Sequence, residues 1–214
     1  MADLTEGLET IAQKIRDSLT AKHEAREIAL RLCREIIRHS ANAIRAVHRG
    51  EYAEAHSFLD QIGALVMRLT QALAPHPDLF HGGFVHDATK EFAEAHITLA
   101  LVEGRPLPDP DALGVAYPAY LNGLGEAVGE LRRYLLDAIR HGEVARCEEV
   151  MRAMDDMYNL LITMDYPDAM TGGLRRTTDV VRGVLEKTRG DLTLSLRQRE
   201  LEAHLSAFQD RFQA

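Results

Sequence analysis

Tryptophan is missing altogether, and cysteine occurs only twice in 214 residues. Cys33 and Cys147 stand far apart, with no Cys-x-x-Cys or Cys/His spacing around either, so buried free thiols are expected rather than a zinc site or a redox pair. No run of about eighteen apolar residues occurs and no basic leader precedes an apolar stretch, so neither a membrane span nor a secretory signal is expected, and the expected compartment is the cytoplasm. Glycine-rich phosphate loops of the dinucleotide or nucleoside-triphosphate type are also missing, which argues against a Rossmann or P-loop enzyme. No alternating apolar pattern suggests a strand. Lysine is scarce: Lys14, Lys22, Lys90 and Lys187 are the only four among 25 basic residues, and the rest are arginine, the better bidentate partner for phosphate and carboxylate. The net charge of -8 has the wrong sign for a protein whose whole surface attracts nucleic acid. How charge is distributed along the chain therefore matters more than its total.

What is present is helical periodicity. Hydrophobic residues make up 46% of the chain, enough to fill a sizeable core. Leu4, Leu8, Ile11, Ile15 and Leu19, then Ile28, Leu32, Ile36, Ile44 and Val47, recur at helical spacing and predict one very long helix ending at Gly50. A second helix is expected from about Glu51 to Leu73, stopped by Pro75-His-Pro77 and packed back on the first as an antiparallel hairpin. Asp78 to Phe84 reads as a loop, with Asp87 as N-cap of a third helix reaching about Glu103. Gly104, Pro106, Pro108 and Pro110 then enforce a connection. Pro118 opens a fourth helix ending at Gly142, and a fifth spans Glu143 to Met164. A sixth follows from Leu174 to Arg189, and Gly190-Asp191 predict a stop and a new N-cap before a last helix to near Phe212. The expected product is a single all-α domain of about seven helices, covering residues 1–214.

Two charge patterns stand out. On a wheel of about 100° per residue, Arg31, Arg34, Arg38, Arg45 and Arg49 fall within about 60° of one another, opposite Ile28, Cys33, Ile36, Ile44 and Val47. The stripe reads either as a solvated face partly paired with Glu27 and Glu35, or as a ridge that contacts phosphates. The second pattern lies between Glu91 and Glu130, where Glu91 and Glu94 share a face of the third helix, and Glu126 and Glu130 a face of the fourth. Solvated surface is the default for such acids. A di-iron bundle would need Glu-x-x-His motifs, which are absent; in Glu91-Phe-Ala-Glu-Ala-His96 the histidine sits about 200° from the second glutamate. The third reading is an all-oxygen site for Mg²⁺ or Mn²⁺, hard cations that activate water and neutralise a phosphodiester. Local context favours it: Gly123, Gly125 and Gly129 cost roughly 1 kcal/mol each in a helix interior, so something must come close to that face.

The order and spacing of several motifs resemble the translin family: translin, translin-associated factor X and their single-gene archaeal and bacterial relatives. The matching residues are Tyr120-Leu-Asn-Gly-Leu with Gly129-Glu130-Leu-Arg-Arg133, Gly142-Glu143, Tyr158, Asp165-Tyr-Pro-Asp-Ala169, Leu174-Arg-Arg176 with Asp179-Val180, and Glu186-Lys-Thr-Arg-Gly-Asp-Leu-Thr193. Arg34-Glu-Ile-Ile-Arg38 and Val47-His-Arg-Gly50 are similar as well. The resemblance spans nearly the whole chain and is most specific from Tyr120 to Thr193.

This resemblance implies a translin-like α-helical bundle that assembles into closed, shell-like homo-oligomers, commonly octamers, and binds single-stranded RNA and DNA. It also implies Mg²⁺-dependent endoribonuclease activity through acids that match Glu91, Glu94, Glu126 and Glu130. Glu126 departs from the pattern, since the catalytic subunit of the family has an aspartate there and glutamate reaches one methylene further. The expected function is cleavage of single-stranded RNA inside a homo-oligomer, with Glu91, Glu94, Glu126 and Glu130 holding Mg²⁺ or Mn²⁺ and the Arg31-to-Arg49 stripe holding the backbone. The alternative is a non-catalytic nucleic-acid-binding scaffold, and a plain all-α oligomerisation protein is the third reading.

Overall fold

The computed structural model describes Thr5 and residues 7–213; Leu4, included above in the first helical pattern, lies outside the described residues. Among the described residues there are nine helices and no strand. Six helices are long: α1 (Leu8–His48), α2 (Tyr52–Leu73), α4 (Gly83–Val102), α6 (Tyr117–His141), α7 (Val144–Leu161) and α9 (Leu174–Gln213). Three are single turns within the connections: α3 (Pro77–Phe80), α5 (Pro110–Leu113) and α8 (Asp168–Thr171). None of the described helices is long and apolar enough to cross a membrane.

The helices form where the apolar spacing predicts and stop where backbone chemistry requires. α1 and α2 are joined by Gly50 at φ 74° and pack along each other. α6 starts with a proline in its first turn and ends at Gly142 in the left-handed region, a helix stop that glycine adopts without a Cβ penalty. α1 packs on α2 and α4, α4 on α6, and α6 on α7 and α9, so α4 and α6 are the inner pair of the bundle. Ile36, Ile62, Ile97, Leu124, Leu131 and Met154 are among the fully buried side chains that fill it. Both cysteines are buried and free, and burial pushes the Cys33 thiol up to about 11.

Two boundary expectations are corrected. Gly190-Asp191 does not break the chain: α9 runs through both residues as one helix. Leu185 and Leu192 are both buried on the core side of the supposed break. Across it, Arg132 of α6 donates to Thr188 Oγ1 at 2.9 Å and to Asp191 Oδ2 at 2.7 Å. Those tertiary contacts outweigh the roughly 1 kcal/mol that one glycine costs a helix. Asp87 is not an N-cap either, because α4 begins four residues earlier at Gly83 and places Asp87 within the helix, on its exposed side.

The two longest helices extend beyond the core. Burial in α1 begins only at Ala29, leaving Leu8, Ile11, Ile15 and Leu19 more than half exposed. Ile28, expected on the core face, is itself 41% exposed. Beyond Leu192 in α9, Leu194, Leu201 and Leu205 are likewise more than half exposed.

Candidate functional site

α4 and α6 bring the acids together because glycine lets the two backbones meet. A Cβ on Gly123 would lie 2.7 Å from the Lys90 carbonyl oxygen and 3.0 Å from Ala93 Cβ, so α4 rests directly on α6 at the turn that carries Glu91 and Glu94. Gly125 instead makes room for side chains, since a Cβ there would run into Cγ2 of Thr177 on α9, with Val181 and Leu161 close by. Gly129 has open space beside it and lines a cleft. The three glycines thus have distinct physical reasons: a close helix approach, room for side chains and an open wall.

The cleft has a volume of about 920 Å³ and is bounded by α1, α4, α6 and α9. On its wall, carboxylate oxygens of Glu91, Glu94 and Glu126 all lie within 4.8 Å of one another. Glu94 is the buried member of this trio, 8% exposed. Burial, together with the charges of Glu91, Glu126 and Glu130, pushes its carboxyl up to about 8, so at neutral pH it holds a proton. Burial also raises Glu91, partly offset by Lys90.

Glu130 lines the same cleft but is not one of the trio. Its Oε2 lies 2.5 Å from Nε2 of His48, in the last turn of α1, and that hydrogen bond lowers its pKa against the opposing effect of burial.

The nearest cation is Lys90. Its Nζ donates to Glu126 Oε1 at 2.7 Å and lies 3.7 Å from Glu91 Oε1. Burial works against the ammonium, yet the Glu126 hydrogen bond and the charges of Glu126, Glu91 and Asp87 raise its pKa.

The arginine stripe divides. All five arginines are exposed, but only Arg45 lines the cleft, its guanidinium donating to Asn42 Oδ1 at 2.5 Å. Arg49 is paired with Glu51 and Glu54 at the start of α2. Arg31, Arg34 and Arg38 have no ion pair among the described residues. Glu27, expected to neutralise the stripe, pairs with Arg26 instead.

The sequence alone gives no role to Arg133 and Arg176, which line the same cleft as Arg45 and are both exposed. Arg133 was within reach, because it lies three residues after Glu130 and seven after Glu126 on the same helical face. Arg176 was not, since its position depends on how α9 enters the bundle. That entry is fastened by Asn122, a buried residue of α6. Asn122 Nδ2 donates to Thr171 O at 2.8 Å, and Thr177 Oγ1 donates to Asn122 Oδ1 at 2.7 Å. Lys90 and His48 were missed for a similar reason: each meets its acid across a helix-helix contact.

The arrangement puts carboxylate oxygens that could hold a metal ion and the guanidinium groups of Arg45, Arg133 and Arg176 in one cleft. The donor set suits such an ion, being carboxylate throughout and free of sulfur and imidazole within the trio.

No family model matches the chain. An uncharacterised protein of Methanocaldococcus jannaschii is 31% identical over 194 residues, which cover 89% of this chain and 85% of that protein. The structure of AfC3PO in complex with duplex RNA is similar at a TM-score of 0.82 and 31% identity, over 88% of this chain and 97% of that one. A crystal structure of AfC3PO gives 0.81 at the same identity, over 88% and 98%. Apo-NeC3PO, 19% identical with a TM-score of 0.70 over 91% and 98%, shares the fold.

Proposed function

The chain belongs to the translin family, and on that premise we propose that it binds RNA in the cleft and hydrolyses phosphodiester bonds there with Mg²⁺ or Mn²⁺. The observation that carries this reading is the meeting of Glu91, Glu94 and Glu126 within 4.8 Å on the wall of a cleft that Arg45, Arg133 and Arg176 also line. Arginines hold backbone phosphates and supply the electrostatic part of the affinity. The trio would hold the ion, which supplies charge neutralisation at the phosphodiester and activation of water. Glu94 would release its proton to solvent to serve as a ligand, and Glu130, held by His48, lines the same cleft.

That AfC3PO has been solved with duplex RNA supports RNA as the ligand. The single-stranded RNA or DNA implied by the family resemblance offers the same phosphate backbone, and competition between single-stranded and duplex RNA separates the two forms. Self-association is part of the proposal. The exposed apolar residues recur at steps of three and four in the α1 extension and of seven and four in the α9 extension, spacings that pair helices between chains, in keeping with a closed, octamer-like homo-oligomer. Mass measurement in solution tests this.

The second reading is a non-catalytic RNA-binding scaffold, favoured by the ion pair that already gives Glu126 a cation. Labelled RNA incubated with Mn²⁺ or with EDTA decides between them. Cleavage that requires Mn²⁺ and disappears in Glu94→Ala/Glu126→Ala, with binding retained, is the expected result; binding without cleavage by the unaltered protein establishes the scaffold. Cleavage that persists in the double variant places the chemistry elsewhere.

A further inference from the structure

Lys90 sits on α4 immediately before Glu91, with its side chain 18% exposed, and it is the only Lys or Arg with an ion pair to the trio among the described residues. Arg45, Arg133 and Arg176 line the same cleft without pairing with Glu91, Glu94 or Glu126. The Glu126 oxygen that Lys90 holds at 2.7 Å belongs to one of the three carboxylates whose oxygens lie within 4.8 Å of one another. An ammonium and a divalent ion are both attracted to that carboxylate, and opposite charges this close change each other's binding strongly.

We propose that Lys90 is a built-in competitor for the metal: its ammonium occupies Glu126 in the metal-free protein and must release that carboxylate before a divalent ion can be held by the trio. Lys90 is thus a positioning residue that sets the affinity for the ion rather than one that touches substrate. With no ion bound it lies between the charges of Glu126, at 2.7 Å, and Glu91, at 3.7 Å, and offsets their repulsion. The inference rests on the reading of the trio as a metal site.

The test is Mn²⁺ binding to the full chain without RNA, followed by electron paramagnetic resonance of the free ion. Lys90→Met should bind Mn²⁺ about tenfold or more tightly than the unaltered protein, the scale expected for removing an opposite charge beside a carboxylate. Lys90→Arg, which keeps the charge and can still reach Glu126, should return the affinity to near its original value. Arg133→Met removes a positive charge from the same cleft without breaking the pair and should change the affinity far less. Unchanged or weaker binding by Lys90→Met overturns the inference while leaving the metal site standing. Equal tightening by Arg133→Met also overturns it, by assigning the effect to the overall charge of the cleft. Absence of Mn²⁺ binding in the unaltered protein and in both Lys90 variants overturns the metal site itself, and the inference with it. If Lys90→Met does not fold, as circular dichroism would show, Lys90→Gln carries the same comparison.

Discussion

His48 Nε2 and Glu130 Oε2 lie 2.5 Å apart, joining the last turn of α1 to α6, with the imidazole side chain only 4% exposed. The pair fastens two helices and at the same time holds one acid of the cleft. His48→Ala leaves Glu130 without its donor and opens a space in the packing. The expected loss is about 1–3 kcal/mol of stability, read as a lower denaturant midpoint with an unchanged slope. Glu130→Gln, whose amide can still meet the imidazole, should lose less.

Glu94 predicts how stability depends on pH. Its carboxyl is raised to about 8 in the folded protein, chiefly by burial, from the ordinary value of 4.5. The folded state therefore keeps a proton that the unfolded chain releases. The resulting contribution is complete below about pH 4.5 and is lost as pH rises through about 8. Thermal melts of the metal-free protein between about pH 6 and pH 9 should show a decline that Glu94→Gln, neutral throughout, lacks in part. Mn²⁺ favours the ionised carboxylate, so its stabilising effect should be larger at the alkaline end of that range.

Gly123 and Gly129 sit six residues apart on α6 and should respond to alanine in opposite directions. Gly123→Ala drives a methyl group into the Lys90 carbonyl and Ala93, with an expected loss of about 1–3 kcal/mol and weaker Mn²⁺ binding as α4 is displaced. Gly129→Ala meets nothing within 4 Å and should gain up to about 1 kcal/mol from helix propensity. Calorimetric melts of the two variants check both signs.

Arg45 and Arg176 line the cleft, whereas Arg49 is engaged by Glu51 and Glu54. Arg45→Ala/Arg176→Ala should weaken RNA binding and reduce the salt dependence of the affinity by about one unit of slope per phosphate contact removed. Arg49→Ala should have a smaller effect. Fluorescence anisotropy across a salt series measures both, and an unchanged slope in the double variant would move the RNA away from this cleft.

The sequence by itself determined the all-α class, most helix limits and the pairing of acids on two helical faces, because these follow from residue spacing, proline and the left-handed glycine at Gly142. It also raised the question of the three glycines without answering it. Only the tertiary structure decided that Gly123 and Gly125 serve helix contacts while Gly129 opens a wall. It alone showed that α9 runs on through Gly190, that Glu130 is held by His48 apart from the trio, and that Lys90 occupies Glu126. The physical reason is the same in each case. Periodicity fixes which residues share a face of one helix, but a hydrogen bond between helices depends on how closely and at what level two backbones pack, and no spacing within a single helix contains that information.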